Sequence, residues 1–132
     1  MTSKSYWRKN VHVFNWAISI DKGYHVFPGG RGVFKLGLKN MALQGCGGNL
    51  KLICICIDPA VNSLTYLQHN HAVPAIKSLF IQQDIVVKDF SENIEYFVMD
   101  LEHNGRVKIW LTDHDGDELD VKGELIFTVQ HT

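Results

Sequence analysis

The sequence predicts an all-β fold, a single jelly-roll-like antiparallel β-sandwich of about eight strands. Apolar and polar residues alternate through most of the chain, which is the period of a half-buried strand. Turn signals rich in Gly, Pro and Asp separate the apolar runs at short, even spacing. No window keeps the three- and four-residue spacing of an amphipathic helix for three turns. A sandwich with an N-terminal arm is therefore expected.

Individual strands follow from the apolar runs. Residues 52–57 are apolar on both faces, which indicates a central strand covered on each side. A short strand or an ordered loop is expected around residues 64–67. The other runs are 11–20, 24–27, 33–38, 76–81, 85–87, 94–98, 107–111 and 125–129. The apolar phase predicts a core that includes Trp16, Ile53, Ile55, Ile109 and Phe127.

Length and charge bound the domain organisation. The chain has 132 residues, 45% of them hydrophobic, and a formal net charge of −1. We expect an arm over residues 1–10 and one sandwich domain over residues 11–132. The charge balance argues against specific nucleic-acid binding, and no apolar run is long enough to span a membrane.

The N-terminal arm differs from the rest of the chain. Lys4, Arg8 and Lys9 occur there without any carboxylate and are interleaved with Tyr6 and Trp7. Such an arm is either disordered or docks on a neighbouring subunit, and both alternatives stay open. The candidate subunit-interface residues are Tyr6, Trp7 and Arg8.

An acidic segment near the C-terminus has the ligand spacing of a calcium loop, with Asp113, Asp115 and Asp117 two residues apart and Glu124 at the twelfth position. Such a loop needs glycine at its sixth position and flanking helices. Here the glycine is Gly116, at the fourth position, and the flanks have strand periodicity. We expect a solvated acidic hairpin and no metal ion.

No catalytic constellation emerges. The seven histidines are scattered, and the pair His69 and His71 lacks an evident third metal ligand. We expect three free thiols, because Cys54 and Cys56 alternate on one strand face and Cys46 lies in a glycine-rich loop predicted to be flexible. The sequence therefore predicts no enzyme, no catalytic residue and no cofactor.

The C-terminal half, roughly residues 50–130, resembles the small single jelly-roll capsid proteins, of the penton type, of polinton-like and adintovirus-like double-stranded DNA viruses. The resemblance lies in an apolar strand, a short proline-containing strand and a closing pattern. Here Ile109, Leu111, Asp113, Gly116 and Leu119 fill that closing pattern.

The resemblance implies a structural role in the virion, as a penton-like or a minor, cementing capsid component. It implies self-association into a ring of five or three copies and contacts with larger capsid proteins, inside the host cell during assembly. Two other classes stay open. One is a carbohydrate- or ligand-binding sandwich in which Trp110 or Trp7 stacks on a sugar; the other is a small barrel enzyme of cupin type.

Overall fold

The computed structural model describes residues 13–20, 23–59, 65–66 and 72–131. Within these ranges the chain forms strands, turns and loops, and no helix there could cross a membrane. The strands are β1 (Val13–Ser19), β2 (Tyr24–Val26), β3 (Val33–Gln44), β4 (Lys51–Asp58), β5 (Thr65–Tyr66), β6 (Ala72–Val73), β7 (Ala75–Ile81), β8 (Val86–Asp89), β9 (Tyr96–Asp100), β10 (Arg106–Thr112) and β11 (Lys122–His131).

Two main antiparallel sheets face each other. Sheet A has the order β1-β11-β3-β8, and β9 also pairs with β3. Sheet B has the order β2-β10-β4-β7, and β5 and β6 form a separate two-stranded ribbon. The inward side chains of sheets A and B share one core, so the described strands form a β-sandwich.

The strand pairs are nested. β1 pairs with β11, β2 with β10, β3 with β8 and β9, and β4 with β7. This nesting is that of one long antiparallel hairpin, which wraps so that β11 also meets β3 and β10 also meets β4. The result is the jelly-roll order, and the predicted fold class is confirmed. The predicted arm, residues 1–10, lies outside the described residues.

The core confirms the predicted apolar phase of most strands. Trp16, Ile53, Ile55, Ile109 and Phe127 are all buried. β4 lies between β10 and β7 and is buried on both faces, as expected of a central strand.

The register with β3 sets which side chains of the edge strands β8 and β9 face the core. Directly opposed residues of an antiparallel pair share a face, and Val86 lies opposite the buried Leu43, so Val86 is buried while Ile85 and Val87 are exposed. In β9, Met99 lies opposite the buried Phe34 and is buried, whereas Tyr96 is exposed.

The acidic segment folds into a short local hairpin but does not pair β10 with β11, which corrects part of a second expectation. β10 belongs to sheet B and β11 to sheet A, so residues 113–121 cross from one sheet to the other. Thr112 and Glu118 form an isolated bridge within this connection. The Asp-Gly turn signal was correct, but the strands on either side of it pair with different neighbours.

The loop around Cys46 corrects a third expectation. Cys46 is buried in the core, although its glycine-rich surroundings predicted a flexible loop. Its backbone N–H donates to the carbonyl of Asp84, at 3.1 Å, and its own carbonyl accepts from Lys51 Nζ. These contacts fix the loop to two neighbouring segments of the sandwich.

Candidate functional site

The topology gives the sandwich two lateral sides. β1 and β2 are the end strands of the two sheets on one side, where a short connection joins them. β7, β8 and β9 are the end strands on the other side, where residues 82–85 join β7 to β8. We call these the β1–β2 side and the β7–β8 side. The end strands of a sheet present unpaired backbone groups to solvent, so both sides are suited to contact with another chain.

Large apolar side chains are exposed on the β7–β8 side. Phe80 is 68% exposed, Ile85 63% and Val87 74%. Phe80 and Val87 line an open cleft of about 220 Å³ between the ends of the two sheets. Phe80 lies opposite Leu52 and Val87 opposite Ala42, so they belong to different sheets, and Ile85 lines a separate opening. Exposed apolar residues on end strands are suited to contact with another chain.

Charged groups of both signs lie on the β7–β8 side, where Lys39 also lies near Asp89. Lys77 forms an ion pair with Glu95, at 3.5 Å, which leaves Asp84, Lys88 and Asp89 on the two end strands and their connection. Hydrogen bonds from the hydroxyl and the backbone N–H of Ser91 hold the pKa of Asp89 below its usual value. Asp89 is therefore firmly ionised at neutral pH.

The β1–β2 side also exposes apolar residues, Val13, Tyr24 and Val26. Its charges are of both signs, because Asp58 lies opposite Lys108 and Asp100 borders the same cleft as Arg106. Arg106 and Lys108 of β10 lie directly across from Val26 and Tyr24. Both lateral sides therefore expose apolar side chains, and both carry charges of both signs.

The sequence-predicted interface residues, Tyr6, Trp7 and Arg8, lie outside the described residues. The arm that carries them leads into β1, an end strand of sheet A. Sequence reasoning did not single out Phe80, Ile85 and Val87. The sequence does contain a signal for them. In the run from Asp84 to Asp89, Ile85 and Val87 flank Val86, and a carboxylate stands at each end of the run.

The three aspartates of the acidic connection do come together. Asp113, Asp115 and Asp117 each offer an oxygen within 4.8 Å of the others. Asp113 Oδ1 accepts from the backbone N–H groups of Asp115, at 2.9 Å, and Asp117, at 3.0 Å. Glu124, the twelfth-position residue of the calcium pattern, lies in β11 and is not part of this group. The geometry is that of an Asx-stabilised turn around Gly116.

A polar cleft lies beside the β1–β2 side, with a volume of about 330 Å³. An exposed tyrosine ring borders it, together with carboxylate, imidazole, amide and guanidinium groups that can bond to hydroxyls. The lining residues are Tyr24, Asp58, Pro59, Asp100, His103, Asn104 and Arg106. Trp110, the predicted sugar-stacking residue, is half-buried and packs against Cys54 and Cys56 instead.

The cysteines are all free, as predicted, and all buried. Cys54 and Cys56 lie on the outer face of sheet B in a small cluster with Ala75. Burial, followed by the proximity of Cys54, raises the pKa of Cys56 to about 12. Such a thiol stays protonated at neutral pH, so this pair has the properties of packing residues rather than of nucleophiles.

A scan of the sequence against protein-family models finds no match, and a search of curated proteins finds no relative.

Proposed function

We propose that this chain is a structural viral capsid protein, either penton-like or a minor, cementing component. It acts without chemistry, by associating with copies of itself and with larger capsid subunits. Its site of action is the virion, and it assembles inside the host cell.

One observation carries this proposal: the jelly-roll exposes apolar side chains on two opposite lateral sides that are not alike. A single apolar patch favours a two-fold dimer, whereas two different patches on opposite sides favour head-to-tail contacts. Head-to-tail contacts close into a ring when the rotation between copies permits, and rings of five or three are the sizes we propose. The jelly-roll order supports the proposal only in part, because capsid, lectin and cupin proteins all use it.

Light scattering coupled to size-exclusion chromatography tests the proposal. The expected result is one species with three or five times the mass of the chain, stable on dilution. A monomer at all concentrations, together with no incorporation into particles in an electron micrograph of the native assembly, would count decisively against a capsid role.

A second candidate function, carbohydrate binding, is favoured by the polar cleft beside the β1–β2 side. The exposed ring of Tyr24 can stack on a sugar while Asp58 and Asp100 accept from its hydroxyls. A glycan-array screen of the full chain tests this candidate, with Tyr24→Ala as the control. If the chain is a monomer that binds a glycan, and Tyr24→Ala abolishes that binding, carbohydrate binding becomes the better proposal.

A further inference from the structure

We propose that Asn104 is a site of spontaneous covalent modification, at which the side-chain amide is lost and a carboxylate takes its place. The reaction consumes only water and passes through a cyclic succinimide that Asn104 forms with Gly105. This inference does not depend on the proposed capsid role, so either can fail without the other.

Asn104 and Gly105 lie in the connection between β9 and β10, where the asparagine is exposed. This is the one place in the chain where glycine follows asparagine. Glycine has no Cβ, so no side chain of its own hinders its backbone nitrogen in an attack on the preceding residue. The sequence therefore offers a single position at which such an attack is sterically open.

The hydrogen bonds of this connection favour the reaction at both groups. Asn104 Oδ1 accepts from the backbone N–H of Arg106, at 3.1 Å. A donor at this oxygen polarises the Cγ carbonyl and stabilises the negative charge that develops on Oδ1 during attack. Within the described part of the chain, the N–H of Gly105 donates no hydrogen bond, so its nitrogen is available as the nucleophile.

Two other positions in the chain lack one of these features and serve as internal controls. Asn93 is exposed, but the branched side chain of Ile94 follows it and hinders the attacking nitrogen. Gly116 follows Asp115, but its N–H donates to the carbonyl of Asp113, at 3.2 Å. Asn104 alone combines an unhindered nitrogen with a polarised amide.

The chemistry has two steps and no change of oxidation state. The nitrogen of Gly105 bonds to Cγ of Asn104, and the side-chain amide nitrogen leaves as ammonia with the proton that the Gly105 nitrogen gives up. Water then adds to one of the two carbonyl carbons of the succinimide ring and breaks the bond from that carbon to nitrogen. Opening at Cγ gives aspartate, and opening at the main-chain carbonyl gives isoaspartate.

The product changes the polar cleft beside the β1–β2 side. Asn104 lines this cleft together with the carboxylates of Asp58 and Asp100. An amide both donates and accepts hydrogen bonds, whereas an ionised carboxylate only accepts. The modification therefore adds a third carboxylate to the cleft and removes the donors of the Asn104 amide.

The isoaspartate product also alters the backbone. Its main chain runs through the former side chain and gains one atom before Gly105. The carbonyl of Gly105 accepts from the backbone N–H of Phe27, at 2.8 Å, which ties the end of β2 to this connection. Displacement of that carbonyl should lower the melting temperature of the isoaspartate form relative to the Asn104→Asp variant, in which the main chain is normal.

Mass spectrometry of the full-length chain, aged at pH 8 and then cut with a protease, tests the inference. The fragment that carries Asn104 should gain about 1 Da as the amide becomes an acid, and it should separate into an aspartate and an isoaspartate product. The fragment that carries Asn93 should keep its mass.

Gly105→Ala is the matched variant. A Cβ at this position meets no atom within 4 Å, and the φ of Gly105 lies outside the left-handed region, so the fold should persist, which circular dichroism checks. The added methyl group should slow the gain in mass at least about tenfold.

Ageing in denaturant separates the contribution of the fold from that of the sequence. The native chain should react at least as fast as the denatured chain, because the fold holds the Arg106 N–H at Oδ1. A native rate more than about tenfold below the denatured rate would show that the fold protects Asn104, which overturns the inference. An unchanged mass, or an equal gain at Asn93, overturns it as well. An equal rate in Gly105→Ala would rule out the succinimide and indicate direct hydrolysis of the amide.

Discussion

Cys54 and Cys56 alternate along β4, and both thiols are fully buried on the outer face of sheet B. Ser78 Oγ lies 3.4 Å from Cys54 Sγ, within donating distance. Cys46 is buried in the main core, and burial raises its pKa too. Since the thiolate is the reactive form, burial and a raised pKa both slow thiol chemistry.

We predict that a thiol reagent reacts with none of the three cysteines in the native protein at pH 8 on the timescale of minutes. In denaturant it should titrate all three. A single reactive thiol in denaturant would show that two are paired or modified, and rapid reaction in the native state would contradict their burial.

Alkaline pH should destabilise the fold through Cys56. Its pKa is raised from 9.0 to about 12 by burial, so between these values the unfolded chain loses a proton that the folded chain keeps. The contribution of Cys56 is fully present below pH 9 and is lost as the pH rises toward 12, by up to about 1.4 kcal/mol per pH unit.

Urea unfolding of the wild type and of Cys56→Ala at pH 8 and pH 10.5 measures this effect. Lysines and tyrosines titrate in both proteins and affect both alike. The free energy of unfolding should fall more in the wild type, because only the wild type carries the Cys56 thiol. An equal fall in the two proteins would show that Cys56 is not the titrating group.

At the scale of the element, β8 presents adjacent valines to opposite environments. Val86 is 4% exposed and packs in the core, whereas Val87 is 74% exposed. Val86→Ala should lower the free energy of unfolding by about 2 kcal/mol, from lost apolar burial and a small cavity. Val87→Ala should change it by less than about 0.5 kcal/mol. Denaturant unfolding of both variants checks which valine faces the core. Similar losses in the free energy of unfolding at the two positions would contradict the burial of Val86 alone.

The acidic connection between β10 and β11 is held by one carboxylate oxygen. Asp113→Ala removes the acceptor of two backbone N–H groups and should destabilise the protein by about 1 to 2 kcal/mol. Asp113→Asn keeps an acceptor oxygen and should cost much less. The difference in melting temperature between the two variants measures the turn's contribution.

Calcium tests the same three aspartates differently. Because Asp113 already bonds within the turn and Glu124 lies outside the group, millimolar calcium should not raise the melting temperature. A rise of several degrees, abolished in both Asp113→Ala and Asp113→Asn, would instead establish a cation site.

The sequence predicted the strands better than their partners. The inward phase of β10 and β11 follows from alternation at Ile109 and Phe127, where polar residues occupy the other face. β8 lacks that contrast, because Ile85, Val86 and Val87 are all apolar and only pairing with β3 chooses between them. The sheet to which each strand belongs is equally hidden in the sequence, so a hairpin that pairs β10 with β11 is predicted although these strands lie in different sheets.

The candidate site was predicted less well than the fold. Tyr6, Trp7 and Arg8 came from the composition of the arm, and they lie outside the described residues. The β7–β8 side depends on which strands end the two sheets, a long-range property. Phe80 and Val87 are ordinary strand residues locally, and only the topology makes them exposed neighbours.

At the scale of the whole molecule, nested pairing brings the first strand against the last and leaves β1, β2, β7, β8 and β9 as end strands. A jelly-roll with exposed apolar residues on both lateral sides has surfaces suited to its neighbours in a closed assembly. The two sides expose different apolar residues, and contacts between unlike surfaces are head-to-tail, which is the geometry of a ring.

Negative-stain electron microscopy of the purified full-length chain tests this central proposal most directly. We predict discrete rings of uniform size with three-fold or five-fold symmetry, formed without any added partner. A field of single 132-residue chains, or open filaments in place of closed rings, would contradict it.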